Sequence, residues 1–142
     1  MINLFFEDVE IPGLDSEFFY SWLSKVCELE GKKLEEVNLI FTSDDYLLDM
    51  NVKHLNHDFY TDIITFDYCE DVLIIGDLFI SKDRVEDNAR LGGVDFTTEL
   101  NRVIVHGVLH LIGYKDKYPE DEILMRSKED WALSLIVSRE TL

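Results

Sequence analysis

Asp62-Ile63-Ile64-Thr65-Phe66-Asp67-Tyr68-Cys69-Glu70-Asp71-Val72-Leu73-Ile74-Ile75-Gly76-Asp77-Leu78-Phe79-Ile80 decides the fold of this chain. Two runs in it, Asp62 to Tyr68 and Val72 to Ile80, are rich in β-branched and aromatic residues, the composition of strands. The linker between them is too short for a crossover helix and reads as a turn, so the pair is an antiparallel hairpin. The second run is apolar almost throughout, which predicts a strand covered on both faces. Asp77 interrupts it. A buried carboxylate must find hydrogen-bond partners, so Asp77 either caps a nearby backbone or orients a metal-bound histidine.

Working toward the N-terminus, Val37 to Thr42 reads as a second strand and Ile2 to Phe6 as the first. Pro12-Gly13 turns the chain, and Asp15 or Ser16 caps a helix running to about Leu29. Phe18, Phe19, Trp22, Leu23, Val26 and Leu29 give that helix an apolar stripe, and Gly31 closes it. Ser43 caps a further helix that has Asp44 and Asp45 in its first turn and runs to about His54. His54 and His57 are expected in a loop or at the surface, not on a metal. Toward the C-terminus, Ser81 opens a polar helix to about Leu91, and Gly92-Gly93 breaks it. Asp95 caps a long apolar helix, and a last helix occupies roughly Pro119 to Glu140. About four strands and five helices in this order predict a single α/β (α+β) domain over residues 1–142 with a small mixed sheet. A chain of 142 residues with 46% apolar composition is large enough to bury a core.

The long apolar helix contains Val105-His106-Gly107-Val108-Leu109-His110-Leu111-Ile112-Gly113-Tyr114-Lys115-Asp116-Lys117. His106 and His110 stand one turn apart, so both imidazoles can face one ion. Gly113 ends the helix, and the turn after it can swing Asp116 back toward the histidines. Two histidines and one carboxylate with an open position are the composition of a catalytic rather than a structural metal site; the alternative from spacing alone is a chance pair of histidines satisfied within the core. In the metalloprotease helix motif a glutamate follows the first histidine as general base, and that place is held here by Gly107. Val103, Ile104, Val108, Leu111 and Ile112 mark the core side of the helix. Glu99, Arg102, His106 and His110 form a polar ridge, on which Glu99 and Arg102 read either as an ordinary ion pair or, for Arg102, as a contact to a scissile phosphate.

Charge narrows the partners. With 30 acidic against 13 basic residues the net charge is −17, which repels nucleic acid in bulk. An RNA-acting protein of this balance needs a local positive site: a metal ion and a few placed cations, of which Arg102, Lys115 and Lys117 are nearest the histidines. The same acidity suits docking on a basic protein surface. Cys27 and Cys69 form neither a disulfide framework nor a metal-type CxxC pair. The N-terminus lacks the basic start and apolar length of a signal peptide, and no stretch approaches a membrane span. A soluble, cytoplasmic protein without a membrane partner is expected.

His106 through Tyr114 resembles the signature of the YbeY family, single-strand-specific endoribonucleases of ribosomal RNA maturation, whose pattern is His-Gly-x-Leu-His-Leu-x-Gly-Tyr-Asp-His. Leu55-Asn56 and Thr61-Asp62-Ile63-Ile64-Thr65-Phe66 are similar to the family's Leu-Asn and Thr-Asp-Val-Leu-Ser-Phe elements. Gly76 to Ile80 resembles its Gly-Asp-Ile strand, and Met125 and Glu129 fall where the family carries Met and Glu. The likeness covers about residues 35 to 135. It implies an α/β fold, ribosomal RNA processing and ribosome quality control as the role, one Zn²⁺ as cofactor, and a single-stranded ribosomal RNA precursor and ribosomal small-subunit proteins as partners. His106, His110 and Asp116 become the metal ligands, with His106, His110 and Arg102 catalytic. Arg102, Lys115, Thr65 and Tyr114 become substrate contacts, while Asp62, Thr65 and Asp77 have structural or cleft-lining roles. Two departures stand out. Asp116 replaces a ligand histidine, which keeps a zinc ligand but widens the choice to Mn²⁺ or Mg²⁺. His57-Asp58-Phe59-Tyr60 occupies the place of a longer loop with a Tyr-Arg pair tied to activity.

The leading expectation is therefore metal-assisted hydrolysis of a phosphodiester, the attacking group being either water or the ribose 2′-hydroxyl. Tyr60, Phe66 and Tyr114 are candidate stacking platforms for bases. A metallopeptidase or other zinc hydrolase, and a non-catalytic metal-stabilised domain that binds the ribosome, are the rival readings.

Overall fold

The computed structural model describes the backbone of residues 1–140 and the side chains of residues 1–136. The elements run β1 (Ile2–Phe6), α1 (Ser16–Leu29), β2 (Lys33–Thr42), α2 (Asp44–Leu55), β3 (Ile63–Asp67), β4 (Leu73–Ser81), α3 (Lys82–Gly92), α4 (Phe96–Ile112) and α5 (Pro119–Glu140). The hairpin forms as its sequence predicts: β3 lies antiparallel to β4, with Thr65 opposite Leu78. β2 pairs parallel with β4, and β1 parallel with β2, so the mixed sheet has the order β1-β2-β4-β3. The helix starts are made by the expected side chains. Ser43 Oγ accepts the Tyr46 amide at 3.2 Å, Ser81 Oγ that of Arg84 at 3.1 Å, and Asp95 Oδ1 that of Thr98 at 2.8 Å, satisfying amides that have no partner within the helix.

Three expectations are corrected. β4 is not covered equally on both faces. Ile74, Gly76, Leu78 and Ile80 are buried, whereas the alternating Ile75, Asp77 and Phe79 are only half-buried. A Cβ at Gly76 would meet Leu111, so the buried face lies under α4. The other face carries Phe66, packed on Phe79 and on His54 of α2. Asp77 sits on that half-open face, where it accepts a 2.8 Å hydrogen bond from Asn38, itself bonded by Asn3. Its role is a polar row across the sheet, far in direction from the histidine ridge. β2 begins at Lys33, ahead of the apolar run, because Lys33 and Leu34 pair with Leu73 and Ile74 while the neighbouring polar side chains stay in solvent. In α1, Leu29 is exposed and Cys27 takes its place in the core.

α4 lies close against the hairpin because Gly107 and Gly76 lack side chains. A Cβ at Gly107 would stand 2.8 Å from Ile63 Cδ1, and one at Gly76 would stand 2.7 Å from the Phe66 carbonyl oxygen. From Leu100 to Leu111 every α4 residue is buried except Arg102, His106 and His110. Within that stretch the predicted ridge is the strip that reaches solvent. α5 packs beside it through a buried stripe, Met125, Glu129, Ala132 and Ile136. Trp22 of α1 fastens α5 by donating its indole N–H to the Ala132 carbonyl at 2.8 Å.

Candidate metal centre

His106 and His110 stand one above the other with ring centroids 4.6 Å apart and planes nearly perpendicular. Gly113, at φ 128°, ends α4 in a conformation that side-chain-bearing residues rarely adopt. The chain then doubles back. Asp116 Oδ2 comes to 3.1 Å from His106 Nε2 and 3.3 Å from His110 Nε2. Two ligands about 2.0–2.1 Å from a tetrahedral zinc lie roughly 3.3–3.4 Å from each other, so these spacings are those of the edges of a zinc shell. All three ligand atoms fall within 4.8 Å of one another, the one such group among the described residues.

The opposite ring nitrogens are held. His106 Nδ1 is 2.7 Å from Glu129 Oε2, and His110 Nδ1 is 2.9 Å from the Tyr114 carbonyl oxygen. A carbonyl oxygen only accepts, so His110 must carry its proton on Nδ1 and present the Nε2 lone pair to the Asp116 side. The Glu129 carboxylate imposes the same tautomer on neutral His106. Imidazoles tied this way are pre-oriented for a cation. The donor set and its spacing fit a divalent metal of the zinc type.

Glu129 is the residue that reading the sequence underused. Only 7% of its side chain is exposed, and it also accepts a 2.9 Å bond from Arg102. Burial alone would raise its pKa, but His106 and Arg102 together hold it below the usual carboxylate range. For His106, burial pushes the imidazole down, and the Glu129 carboxylate, with Asp116 and Asp62 nearby, outweighs it, leaving the ring above its ordinary value. The available signal was a glutamate inside the otherwise apolar stripe 125, 129, 132, 136 of α5; its partner lies on another helix.

Asp62, Glu99, Arg102, His106, Asp116 and Glu129 line a cleft of about 240 Å³, with Val103 and Arg126 completing it. Burial raises the Asp62 carboxyl above its usual range, and also that of Glu99. Arg102 does not pair with Glu99; its guanidinium is spent on Glu129 at 2.9 Å and Asp130 at 2.7 Å, with 16% of the side chain exposed. These bonds brace Glu129, and a phosphate contact by Arg102 would have to displace them. Tyr114 is likewise engaged: its hydroxyl donates to Glu30, and Lys128 lies 5.5 Å from its ring centroid. Thr65 is half-buried on β3 and Lys115 is exposed in the loop after α4; neither lines the cleft. Lys117 rests over the Tyr118 ring, and Tyr60 is bonded to Asp45 and faced by Arg84. His54 and His57 are exposed, away from the metal group.

Comparison with known proteins agrees with this architecture. The family model described as endoribonuclease YbeY matches residues 7–136, extending the resemblance toward the N-terminus. Endoribonuclease YbeY of Porphyromonas gingivalis strain W83 is 45% identical over 99% of this chain and 92% of its own length. That of Flavobacterium johnsoniae is 49% identical, covering 95% of this chain and 96% of its own. The solution structure of TM1509 from Thermotoga maritima superposes with a TM-score of 0.64 at 28% identity, covering 98% of this chain and 93% of the other. With a fold, a histidine helix and a sequence match that run together over nearly its whole length, this chain belongs to the endoribonuclease YbeY family.

Proposed function

We propose that this protein is a metal-dependent endoribonuclease that cuts single-stranded RNA, with ribosomal RNA precursors as its substrate and His106, His110 and Asp116 as the ligands of one Zn²⁺. The observation that carries this reading is the convergence of two freed Nε2 atoms and one carboxylate oxygen, each histidine locked from behind by Glu129 or the Tyr114 carbonyl. Bound there, the ion supplies an activated water and charge stabilisation at phosphoryl oxygens. Glu129 and Arg102 keep the His106 ring in register. Asp62, whose carboxyl is raised by burial, lies in the cleft wall as a group able to hold a proton.

The geometry weighs against a peptidase. The helix position that carries the general base in the metalloprotease motif is Gly107 here, and it faces Ile63 and Leu78 of the sheet. Net charge of −17 keeps RNA off most of the surface and suits a basic ribosomal small-subunit protein as partner. The test is cleavage of a labelled single-stranded RNA by metal-loaded protein beside His110→Ala purified identically, with bound metal measured in both. Cutting by the parent alone supports the reading. Equal cutting exposes a contaminant, and no cutting by metal-loaded parent overturns it.

A further inference from the structure

We infer that Arg126 is the phosphate-binding residue of this site and that the RNA strand leaves the cleft across the first half of α5. The inference rests on the reading of the cleft as a ribonuclease site. Two arginines line the cleft wall, against the carboxylates Asp62, Glu99, Asp116 and Glu129. Arg102 is consumed by two short carboxylate bonds, at 2.9 and 2.7 Å. Arg126 faces the same Glu129 Oε1 but at 3.8 Å, and 66% of its side chain is exposed. A contact of that length whose guanidinium stands in solvent contributes little, so Arg126 can turn to a phosphate at small cost, whereas the Arg102 pairs are short and shielded.

Position adds to this. Arg126 lies on the face of α5 that carries Glu122 and Ile123 one turn before it and Glu129 one turn after it. It lines both the metal cleft and an open groove of about 600 Å³ along α5 that is bounded by Pro119, Ile123 and Ser127, with Glu122 and Asp130 at its edges. Arg126 is thus the one cation shared by the two depressions. The carboxylates around it repel RNA, Asp130 being neutralised by Arg102 and Glu122 not, so a guanidinium at this junction is what makes the passage tolerable to a phosphodiester. It also gives the strand a direction relative to the metal ligands.

The experiment compares metal-loaded parent, Arg126→Ala, Arg126→Lys and Lys25→Ala on one labelled single-stranded RNA across a range of salt. Lys25 makes an i,i+3 contact of similar length with Glu28, at 3.9 Å on α1, so its loss removes equal charge elsewhere. Arg126→Ala is expected to raise KM roughly three- to tenfold with kcat and bound metal unchanged, and to lower the slope of log binding against log salt by about 0.7, the value for one phosphate contact on a single strand. Arg126→Lys should keep the salt slope, and Lys25→Ala should match the parent. If the parent cleaves and Arg126→Ala shows the KM and slope of Lys25→Ala, the inference is overturned while the ribonuclease reading stands. If metal-loaded parent does not cleave, the ribonuclease reading fails first and the inference with it.

Discussion

The pairing of His106 with Glu129 makes the metal-free protein sensitive to pH in a definite direction. His106 sits among Glu129, Asp116, Asp62 and the neighbouring His110 ring, and its folded pKa lies above the ordinary 6.5. A raised histidine contributes stability that is fully present below 6.5 and is lost as pH rises through the folded value. Thermal unfolding in chelator from pH 5.5 to about 8.5 should therefore show a falling Tm, and Glu129→Gln should flatten that dependence. A parent whose chelated Tm rises over this range would contradict the assignment. Metal binding runs the opposite way, since the ligand imidazole must be neutral, so affinity should weaken as the solution is acidified. Asp116→Ala should lower zinc affinity, read by competition with a chromophoric chelator, and Asp116→His should retain it. Parent-like affinity in Asp116→Ala would remove Asp116 from the ligand set. The two histidines and Asp116 were legible because local helix geometry and one turn bring them together, while the support from Glu129 was not, because it depends on how α5 docks.

At the scale of elements, α4 and the β3–β4 hairpin approach as closely as they do because of two glycines. Gly107→Ala would press a methyl into Ile63 and Leu78, whose ends are side-chain carbons with some freedom; a loss of about 1–3 kcal/mol is expected. Gly76→Ala would meet the Phe66 carbonyl, a backbone atom fixed by the strand ladder, and should cost more. Urea unfolding of both variants checks the order, and a Gly76→Ala protein as stable as Gly107→Ala would show that the hairpin can yield. Gly107→Glu drives a carboxylate into the same contact, so it should unfold the site rather than create a peptidase. The hairpin, the caps at Ser43, Ser81 and Asp95 and the α4 ridge all followed from short-range pattern. The start of β2 and the burial of Cys27 in place of Leu29 did not, since each is set by a neighbouring strand or helix that no local window contains.

For the whole molecule, net charge of −17 opposes both folding and RNA binding, but salt acts on them in opposite senses. Raising monovalent salt from about 50 to 500 mM should increase the Tm of the metal-free protein by screening self-repulsion. The same change should weaken RNA binding, because phosphate contacts are lost to competing ions. Differential scanning fluorimetry and a filter-binding titration on one preparation test both; a Tm that falls with salt would mean that specific ion pairs outweigh the overall repulsion. What the sequence by itself determined was the class of fold and the grouping of two histidines with a carboxylate at the end of α4. Helical spacing, a terminating glycine and alternating strands act over a few residues, where backbone geometry leaves little choice. What only the tertiary structure decided was which charges are free. Arg102 and Arg126 look alike in the sequence, yet one is committed to Glu129 and Asp130 and the other is open to solvent. That difference arises from the packing of α5 against α4, where burial makes an unpaired carboxylate too costly to leave alone.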